Sequence, residues 1–402
     1  MTTQSSRGNS LGLSDFKNFS TLVRDDRFWK LAGQIIAIVA AGLFFALLWH
    51  NLNFNLQRLG IPFGYGFLGN QASFDIGESL IPFSPSDSFG KAMRVGLINT
   101  LRVSAIGIIL ATLVGLVVGV ARLSDNWLVR KLALVYVEVI RNTPLLLQLV
   151  FWYFAFNKLP ALDAQTKPSS IPFYFTKRGM AVPWLDPTSG TGIWIVLLAI
   201  GILAGAWLTR WRTRLRVEQG IPSRAWLWSG GAIASAALIA SIISRTAPFN
   251  LTIPRVEGTQ LLGGLQLSPE FSALLIGLTL FTASFIAEIV RAGIQAVPKG
   301  QGEAARALGL KSGIITRRVI LPQALRVIVP PLTSQYLNLA KNSSLAIAIG
   351  FPDLYAVSST TLNQTGRAPE VFLIIAGTYL TISLTISLLM NLYNRTVQIK
   401  ER

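Results

Sequence analysis

Lys341 is where this sequence most invites a chemical reading. It follows Tyr336 and Asn338 and precedes Asn342, Ser343 and Ser344, so a cluster of polar side chains closes an otherwise apolar run that begins near Arg326. Fifteen helical residues rise about 22 Å, which carries Lys341 beyond the middle of a hydrocarbon layer ~30 Å thick. Polar groups at that depth need protein or water around them. Carbonyls and amide oxygens suit an ammonium group, and a lysine or a helix N-terminus suits a carboxylate. Pro330 and Pro331, just before the cluster, permit a broken helix. The same cluster could instead be a hydrogen-bonded seam between helices. Asn142, Thr143 and Gln148, around Pro144 in another apolar run, form a second polar group of the same kind.

Two charge pairs share a spacing of three: Glu138 with Arg141, and Glu288 with Arg291. On a helix each pair lies on one face and can neutralise itself. Ionisable groups at membrane depth can also relay protons, so a gate of self-paired charges and a proton path are both open readings. Nucleophilic and metal chemistry find little support. The chain has no cysteine and one histidine, His50, beside Trp49 at the end of an apolar run. One histidine cannot build a His-based metal site. No G-x-x-x-x-G-K-[ST] phosphate loop occurs, since Gly90-Lys91 is followed by Ala92.

The elements that must position these residues are membrane spans. Of the 402 residues, 51% are hydrophobic and 13% charged, against about 25% charged for a soluble domain. The apolar residues come in long runs, which predict an all-α integral membrane protein. Eight spans are expected: 31–49, 95–120, 132–156 broken at Pro144, 192–208, 225–243, 271–290, 326–350 and 371–393. Residues 1–30 form a polar tail without the cleavage pattern of a secretory signal. A Pro-rich stretch from Pro160 to Thr191 suits a connection, and Arg210, Arg212, Arg214 and Arg216 alternate along an expected short turn among Trp207, Trp211, Trp226 and Trp228. Eight spans put both termini on one side. That side carries 23 of the 36 basic residues, the opposite loops carry 10, and Arg102, Arg141 and Lys341 lie within spans. The positive-inside rule makes the richer side cytoplasmic. It also explains the net charge of +18 without nucleic acid, for which no soluble basic domain is present.

The loop from Val297 to Leu325, VPKGQGEAARALGLKSGIITRRVILPQAL, is basic and falls on the cytoplasmic side. Its apolar residues recur at helical spacing in two short blocks, and Gly309 stands where the first must end. Helix, tight turn, helix is the expected form, with Glu303 favourable near a helix N-terminus and Pro322 restarting the backbone into the next span. So elaborate a loop serves a contact better than a mere connection.

Glu303-Ala304-Ala305, then Gly309, then Leu321-Pro322 resemble the EAA loop of bacterial ABC importer permeases. The flanks AEIVRAGIQAVPKGQ and LPQALRVIVPPLTSQYLNLAKNSSLAIAIGFPDL are similar to the polar and general amino-acid permease subfamily, in its long form with extra spans. The family commonly has isoleucine where Val319 stands. The resemblance implies a five-span core at 92–158 and 265–396, an additional first span at 31–50 after a cytoplasmic tail at 1–30, an inserted two-span block at 160–264, and a coupling loop at 297–325. It also implies an ATP-driven amino-acid importer in the bacterial inner membrane. In such an importer Glu303, Ala304, Ala305, Gly309, Leu321 and Pro322 meet a cytoplasmic ATPase, and Asn142, Thr143, Gln148, Asn338, Lys341, Asn342, Ser343 and Ser344 are candidates for the path. The implied partners are a second permease chain, two ATPase subunits that hold ATP and magnesium, and a periplasmic solute-binding protein. This chain would have no cofactor and no catalytic residue. The residues alone leave two other classes open: a self-sufficient ion-coupled carrier, and a membrane-embedded hydrolase that would have only His50 as base.

Overall fold

A computed structural model describes residues 26–58, 60, 63–161, 173–219, 225–257 and 260–398. It is mostly helical, with six helices long and apolar enough to cross a membrane and two bent pairs that raise the number to eight. In order these are α1 (Asp26–Arg58), α2 (Phe89–Ala121), the bent pair α3 (Trp127–Asn142) and α4 (Leu145–Asn157), α5 (Thr191–Gln219), α6 (Ala225–Ser244) and α7 (Pro269–Gln295). After them come α8 (Lys299–Ala307), α9 (Ser312–Ile315), α10 (Leu321–Asn342), α11 (Leu354–Thr365) and α12 (Ala368–Val397). The eight expected spans are all helical. The polar tail expected at 1–30 lies almost wholly outside the described residues.

Among the described residues, those from 26 to 67, together with 367–370, form a unit of their own, and the remainder another. Within the first, the Gly64 amide donates to the Glu370 carboxylate at 3.0 Å, and Trp49 meets Phe63 edge to face. His50 is exposed on α1.

In the larger unit α7 is the hub: 67% of its most apolar window is buried, against 33% for α2. The reason is in the sequence of α2. Ala111, Gly115 and Gly119 recur every fourth residue, so one face of the helix has almost no side chain. A Cβ on Gly115 would lie 2.6 Å from the Ile286 Cβ, and one on Gly119 would lie 2.8 Å from the Ala287 carbonyl oxygen. Contact positions rise together along both chains, so α2 and α7 run parallel and nearly touch backbones, the arrangement small residues permit between membrane helices. On other faces of α7, Gly277 receives Leu149 of α4 and Gly293 receives Ile328 of α10. The Tyr136 hydroxyl of α3 donates to the Leu280 carbonyl at 2.7 Å.

Among the described residues, the connections expected to be loops contain seven short strands. β1 (Tyr174–Thr176), β2 (Gly179–Val182) and β7 (Leu265–Leu267) form one antiparallel sheet, β3 (Trp184–Pro187) pairs with β4 (Phe249–Thr252), and β5 (Arg255–Glu257) with β6 (Gln260–Leu262). Because β2 pairs with β7 and β3 with β4, the chain entering the α5–α6 hairpin is stitched to the chain leaving it. Strand-forming Trp, Tyr, Val, Leu and Thr lie between the prolines there, a signal outweighed in the sequence by the prolines themselves.

The break expected at Pro144 is present: the halves of the span at 132–156 are bent by 107° there. Pro330 and Pro331 do not break α10, which runs through both. The helix instead tightens to a 3-10 turn at Ser343–Ile349 and ends at Gly350, where φ is +77°. Pro322 stands in the first turn of α10, as expected, but no gap precedes it. Helical structure runs from Ser312 to Ile349, widening to a π turn at Thr316–Ile320, which accommodates the missing proline N–H without a stop. Finally, the alternating arginines lie on the last turns of α5 rather than on a short turn.

Candidate functional site

The loop between α7 and α10 is built from two turns of helix and a deliberate stop. At the end of α8 the Leu310 amide donates to the Ala305 carbonyl at 3.2 Å and the Gly309 amide to the Arg306 carbonyl at 2.9 Å. Gly309 has φ +74°. These two bonds and the left-handed glycine make a Schellman motif, so the sequence signal at Gly309 has the geometry it suggested. Ala305 and Ile315 turn inward and are 5% exposed. Glu303, Ala304, Arg306 and Ala307 face outward, and Leu308, between helix and glycine, is 80% exposed. Among the described residues Glu303 makes no ion pair. Leu321 is exposed and Pro322 half-buried at the start of α10. Leu308 escaped the sequence reading as a contact residue because its place in an apolar helical block suggested burial; the glycine directly after it was the signal that the turn would push it out.

Beyond Leu321, the exposed residues of α10 are Val327, Pro330, Pro331, Ser334, Asn338 and Lys341. They recur at three and four, so they lie on one face, and its far half is polar. A polar stripe on a bilayer-length helix needs a water-filled space or a partner. Asn342 and Ser344 flank it, half-buried, and the Ser344 hydroxyl caps the Lys341 carbonyl at 2.8 Å. Ser343 is not on this face: it is fully buried, its hydroxyl donating to the Ala340 carbonyl.

Gln148 is also turned inward. Its side-chain amide donates to the Ile140 carbonyl at 2.9 Å and the Thr143 carbonyl at 3.0 Å. Those carbonyls lie at the bend at Pro144, where the Ile140 carbonyl also accepts from the Thr143 amide at 3.4 Å, so Gln148 braces the break. Asn142 is exposed and Thr143 half-buried at the bend itself, the Thr143 hydroxyl bonding back to the Val139 carbonyl.

The two charge pairs part company. Glu288 and Arg291 are paired at 2.5 Å, and Arg122 at the end of α2 joins the same carboxylate. The cluster therefore ties α2 to α7, a role invisible at a separation of 166 residues. Glu138 and Arg141 do not pair: Glu138 is exposed with the Asn142 amide 3.5 Å away, and the Arg141 guanidinium lies 4.9 Å from the Phe285 ring centroid. A spacing of three allows a pair but does not oblige one when an aromatic face competes for the cation. Replacing Glu288 by Gln is expected to destabilise the chain by about 2 kcal/mol in a denaturant titration in detergent. That is below the ~3–5 for a fully buried pair, because 27% of its side chain is exposed.

At the opposite end of α2 and α7 a second latch was missed by the sequence reading. Arg102 donates to Glu78 at 2.7 Å, Ser268 at the N-cap of α7 donates to the other oxygen of Glu78, and the Arg102 guanidinium covers the Phe271 ring at 4.2 Å. Beside it is a cavity of about 570 Å3 whose lining includes Asp75, Glu78, Ser268, Glu270, Thr360 and Asn363.

Residues 107–399 match the family described as the inner membrane component of binding-protein-dependent transport systems. A putative amino-acid ABC transporter permease of Escherichia coli, YhdX, is 45% identical over 92% of this chain and 94% of its own. The general L-amino acid transport system permease AapQ of Rhizobium johnstonii is 43% identical, over 96% of each chain. The glutamate/glutamine/aspartate/asparagine permease BztB of Rhodobacter capsulatus is 42% identical over 95% of this chain and 97% of its own. The chain therefore belongs to the inner-membrane permease components of binding-protein-dependent ABC transporters, in the long amino-acid permease branch these relatives represent. It is a multi-pass inner-membrane transport component and not an enzyme, which sets aside the hydrolase and the self-sufficient carrier. A component of this kind works with an ATPase and a solute-binding protein.

Proposed function

We propose that this chain forms half the path of an amino-acid importer and is driven through the α8 turn. The observation that carries the reading is the outward face of the 299–310 segment, where Leu308 and Glu303 stand free on a helix whose stop is built in. An apolar knob beside an unpaired carboxylate fits a groove with a basic rim on a cytoplasmic ATPase. Two such ATPases, a second and related permease chain and a periplasmic binding protein complete the assembly. The polar stripe Ser334–Asn338–Lys341, flanked by Asn342 and Ser344, lines the path together with Asn142 and Thr143 of the span bent at Pro144, and Gln148 and Ser343 support the helices that carry it. The cavity beside Glu78 and Glu270 is its outer vestibule. Amino acids are the cargo by analogy with the amino-acid transport of these relatives, and a free amino acid matches donors and acceptors of both signs.

Segments 92–158 and 265–396 form the transport core, and 31–50 and 160–264 are additions to it. Both termini and the 297–325 loop lie in the cytoplasm. The absence of cysteine makes topology direct to test. Single cysteines at Thr2, Leu308 and Thr396 should react with an impermeant maleimide only from the cytoplasmic side, and reaction of Leu308→Cys from outside would end the proposal.

The transport role is tested by reconstituting the chain with its ATPase and permease partners and binding protein in vesicles. Uptake of radiolabelled amino acids should require ATP. Lys341→Leu should lower that uptake at least about tenfold while the assembly still forms. Unchanged uptake by Lys341→Leu would take Lys341 out of the path.

A further inference from the structure

The α5–α6 hairpin has a cation with no anion beside it among the described residues. Arg212 sits in the last turns of α5, where its guanidinium lies 4.4 Å from the Trp228 ring centroid and 5.5 Å from that of Trp211. Trp211 is itself stacked on Trp207. The Arg212 Nε is buried and has no hydrogen-bond partner. Among the described residues no carboxylate pairs with Arg212, and Glu218, the one acidic residue of α5, is six positions on, beyond helical pairing distance. A buried donor left without a partner is unfavourable, and a guanidinium is built to grip phosphate.

The space beside it has a matching form. A cavity of about 920 Å3 opens next to Arg212 and Trp228 and continues over Leu208, Leu227, Gly231 and Ser235. Nothing lies within 4 Å of a Cβ built on Gly231, so the groove along α6 is open. One end is cationic and aromatic, and the rest is apolar or small. Arg210, Arg214 and Arg216 are exposed around that cationic end, which raises the local positive potential, and tryptophans mark the depth of lipid headgroups.

We propose that this groove binds an anionic phospholipid, its headgroup phosphate on Arg212 between the indoles and an acyl chain along Gly231 and Ser235. Free phosphate shares the headgroup chemistry but leaves the apolar length of the groove empty, so the lipid is the occupant. The site lies on the α5–α6 hairpin, away from α8 and α10, and does not depend on the transport path.

The test uses the full chain purified with its partner subunits in detergent, stripped of native lipid and followed by native mass spectrometry. Dioleoyl phosphatidylglycerol should bind at least about tenfold more tightly than dioleoyl phosphatidylcholine, which has the same chains without net charge. Inorganic phosphate in large excess should not displace it. Arg212→Gln should lose that preference, while Arg214→Gln, on an exposed neighbour, should keep it. Equal retention of the two lipids by the unmodified chain, displacement by phosphate alone, or full retention by Arg212→Gln would each overturn the proposal. The lipid comparison on the unmodified chain stands even if Arg212→Gln fails to fold.

Discussion

Leu308→Asp is expected to cut ATP-driven uptake to near background while leaving the chain inserted in the membrane. Leu308 is 80% exposed in the isolated chain, so its removal costs the fold almost nothing. Burying a leucine in a partner contributes about 1.5–3 kcal/mol, and an aspartate in the same groove adds the cost of an unpaired charge. A combined loss near 3 kcal/mol is roughly a hundredfold in affinity. Glu303→Lys should act in the same direction by placing a cation where the carboxylate stood. Gly309→Arg should act differently, because φ of +74° costs a side-chain residue about 1–2 kcal/mol and unwinds the turn that presents Leu308. The measurement is uptake in reconstituted vesicles beside the amount of ATPase that co-purifies. Normal uptake in both Leu308→Asp and Glu303→Lys would remove the coupling role of this turn.

Gly119→Leu should be the most damaging single substitution for stability. A Cβ there already falls 2.8 Å from the Ala287 carbonyl oxygen and from the Val290 Cβ. The obstacle is backbone on one side and a β-branched stem on the other, neither of which can swing away. Overpacking of a filled core costs about 1–3 kcal/mol, and here the separation of α2 from α7 would also loosen the Arg122–Glu288–Arg291 cluster. Thermal unfolding in detergent should show a midpoint lowered by several degrees, or no folded protein recovered. Gly377→Ala on α12, where nothing lies within 4 Å of the added carbon, is the control and should leave the midpoint unchanged. A wild-type midpoint for Gly119→Leu would mean that α2 and α7 do not pack as described.

Much of this protein is written locally. The spans are legible because a bilayer leaves a helix as the way to satisfy every backbone group within one segment, so hydropathy alone places them. The stop at Gly309 is legible because only a residue without a Cβ takes that turn cheaply. Where the sequence reading faltered, it met interactions between residues far apart in the chain. The i,i+3 rule foresaw Glu288 with Arg291 and equally Glu138 with Arg141, yet Arg122 joined the first and Phe285 drew away the arginine of the second. Gln148 and Ser343 are candidates for the path by residue type, and what residue type does not show is that both are buried, bonded to carbonyls at the Pro144 bend and at the end of α10.

The sequence by itself determined that the chain spans a membrane, where its helices run, and that a helical turn with a glycine stop stands between α7 and α10. These follow from solvent, hydropathy and local backbone geometry, which act over one segment at a time. Only the tertiary structure decided which faces turn outward: Leu308 into solvent, the Ser334–Lys341 stripe away from the core, Arg212 into an unfilled groove. Orientation about a helix axis depends on what packs against the other side, and for α10 that is Gly293 of α7 accepting Ile328, a fit between residues 35 positions apart in sequence.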